Sequence, residues 1–123
     1  MAQQKLITAE IKKFLKNHLS GSQDGKKGDA KVACRLFMPF SHALTWYILE
    51  GYEDTDKTGI VYGYVVNNSN PDFSEYGDIN LNELKKLKQF GAPAVERDIS
   101  ISVGMPLAEA LEKSKDPKPD WWD

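Results

Sequence analysis

The 123-residue chain has one cysteine, two histidines and no excess of basic charge. Each shortage removes a class of protein. A lone thiol, Cys34, can close no intrachain disulfide and cannot build a tetrathiolate metal site. Lying in an apolar run, it reads as a buried, inert thiol and not as a nucleophile. Only His18 and His42 could serve as histidine bases; His18 is better explained as a cation at a helix end, and His42 falls in a turn. No apolar run approaches the roughly 18 residues that span a bilayer, and Met1–Lys5 does not resemble a signal peptide. The expectation is therefore a cytoplasmic protein with no membrane partner. Lys and Arg total 16 against 18 Asp and Glu, for a net charge of −2. That balance argues against a dedicated duplex-binding protein, which would normally carry a basic face.

What is present is ordinary for a globule: 41% hydrophobic and 28% charged residues. The length suits one core. The expected organisation is a globular body over 1–113 and a Pro- and Trp-containing tail over 114–123.

Two adjacent runs, Ala43–Gly51 and Gly59–Val66, are rich in β-branched and aromatic residues and read as neighbouring antiparallel strands. Leu44, Trp46 and Ile48 fall on one face of the first, with Thr45, Tyr47 and Leu49 on the other. Lys31–Met38 reads as a preceding strand. Because both faces are apolar, helices should cover at least one of them. Ile7, Ile11, Phe14, Leu15 and Leu19 recur at helical spacing behind Thr8, a good N-cap. Gly21 is placed to end that helix.

Ser74–Ile79 is expected to be an edge strand. Asn80 with Glu83 forms a capping-box-like pair, and Ile79 with Leu84 is spaced as a hydrophobic staple. Leu81, Leu84 and Leu87 should supply the core face of the helix that follows, with Gly91 and Pro93 stopping it. Val95–Val103 alternates and reads as a half-buried strand, in which Arg97 needs a partner such as Glu50 or an aspartate. Pro106 suits the first position of a short helix. The resulting fold class is α+β: a single mostly antiparallel sheet of four to five strands, two main helices and a short C-terminal helix, in the order α-β-β-β-β-α-β-α.

Two local patterns imitate ligand sites and fail. Gly21–Lys27 lacks a residue between its glycines, has Lys27 where a phosphate loop needs Ser or Thr, and follows a helix instead of a strand. Asp54, Asp56, Thr58 and Gly59 match the opening of a calcium loop, but the twelfth position is Val65 and the flanks read as strands. Neither a cofactor nor a metal is therefore expected.

Thr45-Trp46-Tyr47, Glu50-Gly51, Gly63-Tyr64-Val65, Asn80–Leu84 and Val95-Glu96-Arg97-Asp98 follow one another in order. From about Leu6 to Pro106 this succession resembles the bacterial family called domain of unknown function 2958. The resemblance implies a short helix before the first strand and no assigned chemistry. It also implies the setting of accessory genes on plasmids and other mobile elements.

Three function classes compete. Catalysis would need Glu50, Glu96 and Asp98 to converge at the sheet ends. Nucleic-acid binding would use the lysine faces Lys12, Lys13, Lys16 and Lys85, Lys86, Lys88, with Trp46, Tyr62 or Tyr64 as stacking platforms for a single strand. The preferred reading is a non-catalytic module that docks onto an unidentified host protein. Its candidate contacts are Tyr47, Tyr52, Glu96 and Arg97, joined by Trp121 and Trp122 of the tail.

Overall fold

The computed structural model describes residues 5–122. The chain opens with helix α1 (Ala9–Asn17), where Thr8 accepts a hydrogen bond from the Ile11 N–H at 3.2 Å, the N-cap expected from sequence. Strands β1 (Cys34–Phe37) and β2 (Leu44–Gly51) follow. A helical turn, α2 (Thr55–Thr58), leads into β3 (Ile60–Asn67) and β4 (Glu75–Asn80). Helix α3 (Leu81–Lys86) comes next, then a two-strand hairpin of β5 (Lys88–Gln89) and β6 (Ala92–Pro93). A two-residue strand, β7 (Glu96–Arg97), and helix α4 (Leu107–Ser114) follow, and single 3-10 turns lie at Lys27–Asp29, Pro71–Phe73 and Asp120–Trp122.

The main sheet has five antiparallel strands in the order β4-β3-β2-β1-β7. The α+β class and the antiparallel sheet match the sequence expectation. Both faces are covered. On one, α1 and α3 bury Ile11, Leu15, Leu81 and Leu84 against Leu36, Trp46, Ile48 and Val61. On the other, α4 buries Leu107, Ala110 and Leu111 against Tyr47, Leu49, Tyr64 and Val66, with Trp122 packed alongside. Fully burying one such aliphatic side chain stabilises the fold by about 1.5–3 kcal/mol, so the two clusters supply most of its cohesion.

One irregularity in this sheet sets the position of the functional groups. The register between β2 and β3 runs Tyr47 to Tyr64 and Ile48 to Gly63, then jumps so that Glu50 faces Tyr62. Leu49 is thus an extra residue, a β-bulge. Simple alternation would put Glu50 beside Ile48 on the α1 face. The bulge turns it to the opposite face, beside Tyr62, and gives the α1 face to Gly51, where a Cβ would stand 3.0 Å from that of Leu15. Gly63 makes the bulge sterically feasible: a Cβ there would lie 2.1 Å from the Tyr47 carbonyl oxygen.

Several sequence expectations are corrected. The Lys31–Met38 strand shrinks to β1, and Lys31 keeps only an isolated bridge to Pro106. Val95–Val103 is not a strand beyond Glu96–Arg97. Asp98 accepts bonds from the Ser100 N–H (2.9 Å) and hydroxyl (2.6 Å), and this local turn displaces ladder pairing, leaving Ile99 83% exposed. Leu87 lies past the end of α3 and is exposed. Gly91 does not stop that helix. With Phe90 it forms the two-residue tip of the β5–β6 hairpin, at φ of 78° and 55°, the positive values a tight hairpin turn of the I′ kind demands. Pro106 occupies the N-cap position, one residue before the helix proper. The Asp54–Gly59 run, already rejected as a calcium loop from its sequence, coils into the helical turn α2.

Candidate functional site

The sequence candidates scatter over the molecule, and one group of them comes together. α1 presents Lys12 and Lys16, α3 presents Lys85, and the segment after β2 presents Tyr52, all around a cleft of about 360 Å³. Leu15, Leu19 and Leu81 form an apolar floor, while Glu53 and Asp56 share the rim with the lysines. Lys16 reaches Asp56 at 3.5 Å in an exposed pair that contributes little to stability. Three lysines against two carboxylates leave the rim net positive. Tyr52 is oriented by its hydroxyl, which donates to Asp78 on β4, and that bond raises its pKa above the usual phenol value. Its own N–H is held by the Thr55 hydroxyl at 2.7 Å. Lys13, Lys86 and Lys88 are exposed and lie outside the lining of this cleft.

Tyr47 does not belong to any surface. It is fully buried, and its hydroxyl donates to Asp116 and accepts from the Arg35 Nε–H at 3.0 Å. Arg35 also pairs with Asp98 at 3.0 Å and Asp116 at 3.3 Å. Burial and the hydrogen bond to Asp116 push the Tyr47 phenol far up, so it stays neutral. Burial also acts against ionised Asp98, but hydrogen bonds from Ser100 and the neighbouring Arg35 cation outweigh it and hold that carboxyl below its usual value. Asp116, which closes this network, had no sequence signal beyond its place in the tail.

The three carboxylates proposed for acid–base work do not converge. Glu96 is exposed on the edge strand β7, Asp98 is tied to Arg35, and Glu50 is buried under the 21–27 loop, where it accepts the N–H groups of Gly21 (2.9 Å) and Gln23 (2.8 Å). Glu50 is therefore not the partner of Arg97, whose guanidinium donates to the Lys5 carbonyl. Arg97 lines a separate hollow with Glu10 and Asp98. Among the described residues no cluster of three or more His, Cys, Asp or Glu could hold a metal ion. No helix of the described residues is long and apolar enough to cross a membrane.

The aromatic candidates divide in the same way. Trp46 and Tyr64 are core residues and offer no stacking face to a nucleic acid. Trp122 packs on the α4 cluster and donates its indole N–H to the Tyr76 hydroxyl at 3.3 Å, whereas Trp121 is 61% exposed and faces Tyr76 at 5.8 Å between ring centres. Away from these, Phe40 and Phe90, both exposed, meet edge to face at 6.2 Å. Neither phenylalanine stood out in the sequence.

This arrangement defines a small α+β domain with a cleft that is apolar at its floor and charged at its rim. The chain belongs to the family described as protein of unknown function (DUF2958), whose model matches residues 6–117. The match runs past Pro106 to take in Asp116, the residue that closes the buried network under β1 and β2. Comparison with curated proteins and with solved structures found no match.

Proposed function

We propose that the chain is a bacterial, cytoplasmic, non-catalytic interaction module carried by a mobile genetic element, and that it docks a host protein in the cleft between α1, α2 and α3. The observation that carries this reading is the cleft's make-up: Leu15, Leu19 and Leu81 below, with Tyr52, Lys12, Lys16 and Lys85 around them. An apolar centre bounded by a polar rim and an oriented tyrosine is the anatomy of a protein-binding patch. The net positive rim selects an acidic segment bearing one apolar anchor. The mobile-element setting rests on the family resemblance alone. A catalytic reading loses its support with the dispersal of Glu50, Glu96 and Asp98.

A single-stranded nucleic acid is the second reading, favoured by the meeting of Lys12, Lys16 and Lys85 on one cleft. The burial of Trp46 and Tyr64 counts against it.

The test is an affinity capture from bacterial lysate, with and without nuclease, using the native chain, a Lys12→Glu/Lys85→Glu variant and Tyr52→Ala. The expected result is a host protein retained with or without nuclease and lost with both variants. Retention that both variants leave intact would refute the cleft, and bands that vanish with nuclease would establish the nucleic-acid reading.

A further inference from the structure

A second cleft, of about 290 Å³, opens on the opposite face of the sheet, between the 21–27 loop and the outer surface of β3 and β4. Glu50 reaches it because of the bulge at Leu49, which sets Glu50 directly across from Tyr62. On the other side of Tyr62, Asp78 is its partner in β4; it lies outside the cleft lining and accepts the Tyr52 hydroxyl. A tyrosine is thus flanked across the strands by two carboxylates, and Asp24 approaches from the loop. Burial, followed by the fields of Glu50, Asp24 and Asp78, raises the Tyr62 pKa.

Beside this row stands an aromatic wall. Tyr62 stacks near Tyr76 at 6.2 Å with 23° between the rings, and Tyr76 meets Trp121 at 5.8 Å. Each Glu50 oxygen accepts one backbone N–H, from Gly21 and Gln23, which leaves further lone pairs on both. Those donors carry no net charge, and no lysine or arginine of the described residues forms an ion pair with Glu50. Lys27, the cation of the cleft lining, donates its Nζ to the Trp122 carbonyl at 3.3 Å.

We propose that this cleft binds an organic cation, a guanidinium or alkylated ammonium group, with its charge toward Glu50 and its flank against Tyr62, Tyr76 and Trp121. Electron-rich ring faces attract such cations, and a buried carboxylate supplies the formal countercharge that the rings lack. An aqueous ammonium ion is strongly hydrated and gains less from such a wall than a planar guanidinium or an alkylated ammonium does. The site is separate from the lysine-rimmed cleft, and its charge preference is the reverse.

The experiment is a titration of the full chain, followed by the Trp121 indole N–H resonance. The probes are ethylguanidinium and tetramethylammonium, their neutral counterparts ethylurea and tert-butanol, and sodium chloride to match ionic strength. Saturable shifts with at least one cation, about tenfold tighter than with its neutral counterpart, are expected. Glu50→Gln and, followed on the Tyr76 ring signals, Trp121→Ala should each weaken binding by about tenfold. Trp121 is largely exposed, so its removal spares the fold and decides the matter even if Glu50→Gln loosens the loop. Equal response to cation and neutral probe, or unchanged binding after Trp121→Ala, would overturn the assignment.

Discussion

Cys34 and Tyr47 lie on opposite faces of the sheet, and burial acts on both in the same direction. The thiol, at 1% exposure, is pushed from 9.0 up to about 12, and the phenol is raised as well. Both groups are neutral acids that fold neutral, so their folded pKa values exceed their unfolded ones. Their contribution to stability is fully present below the unfolded values and is lost as pH rises through the folded ones. For Cys34 the window runs from 9.0 to about 12. Within it, one proton changes unfolding free energy by about 1.4 kcal/mol per pH unit. Cys34→Ala should therefore flatten the decline of the urea midpoint between pH 9 and 11, leaving the rest of the decline to Tyr47 and the other tyrosines whose pKa is raised. The same burial predicts that Cys34 resists thiol reagents in the folded protein. An unchanged slope in the alanine variant, or rapid native labelling, would contradict the account.

At the scale of elements, what could be read from the sequence was what local chemistry dictates. Thr8 and Asn80 cap their helices as expected, the latter accepting from Asn82 and Glu83 N–H groups at 3.0 and 3.2 Å, and Ile79 and Leu84 enter one cluster. The elements missed are those where a residue of the wrong type holds a special conformation. Phe90 sits at positive φ in the hairpin tip, and Lys115 at φ 59° ends α4. Around Lys115, the N–H of Asp116 bonds the Leu111 carbonyl (2.9 Å) and that of Lys115 the Glu112 carbonyl (3.1 Å), the paired bonds of a Schellman cap. Glycine is the usual residue there, and without one the cap was invisible. The candidate cation cleft was hidden for a related reason: alternation cannot register an inserted residue. Gly63 inside a strand run was the one available hint of the Leu49 bulge. A side chain in the left-handed region costs about 1 kcal/mol relative to glycine. Lys115→Gly should raise the melting temperature by roughly 3–6 °C, measured calorimetrically. A lowered melting temperature would show that the lysine side chain offsets its backbone cost.

Over the whole molecule, that Schellman cap aims Asp116 under the sheet, and this makes residues 115–122 more than an appendage. Asp116 ties α4 to Arg35 on β1 and Tyr47 on β2, with side-chain exposures of 10% for the aspartate and 13% for the arginine. Beyond it, the Pro117 carbonyl accepts from the Tyr64 hydroxyl at 3.4 Å, and Trp122 fills the space over Gly28, where a Cβ would stand 3.3 Å from the ring. If the tail were held mainly by its indoles, Trp122→Ala would be the damaging change. The geometry instead ranks Asp116 first, because its loss leaves a largely buried phenol without its acceptor and Arg35 with one carboxylate in place of two. Asp116→Ala should cost about 2–3 kcal/mol in urea unfolding, within error of deleting residues 115–123. Trp121→Ala, at the exposed edge of the aromatic wall, should stay within about 0.5 kcal/mol of the native chain. A deletion far more harmful than Asp116→Ala would transfer the tie to Trp122. A mild effect of both would mean that α4 and the sheet hold together without the tail, and that the wall facing Glu50 is built on a segment free to leave it.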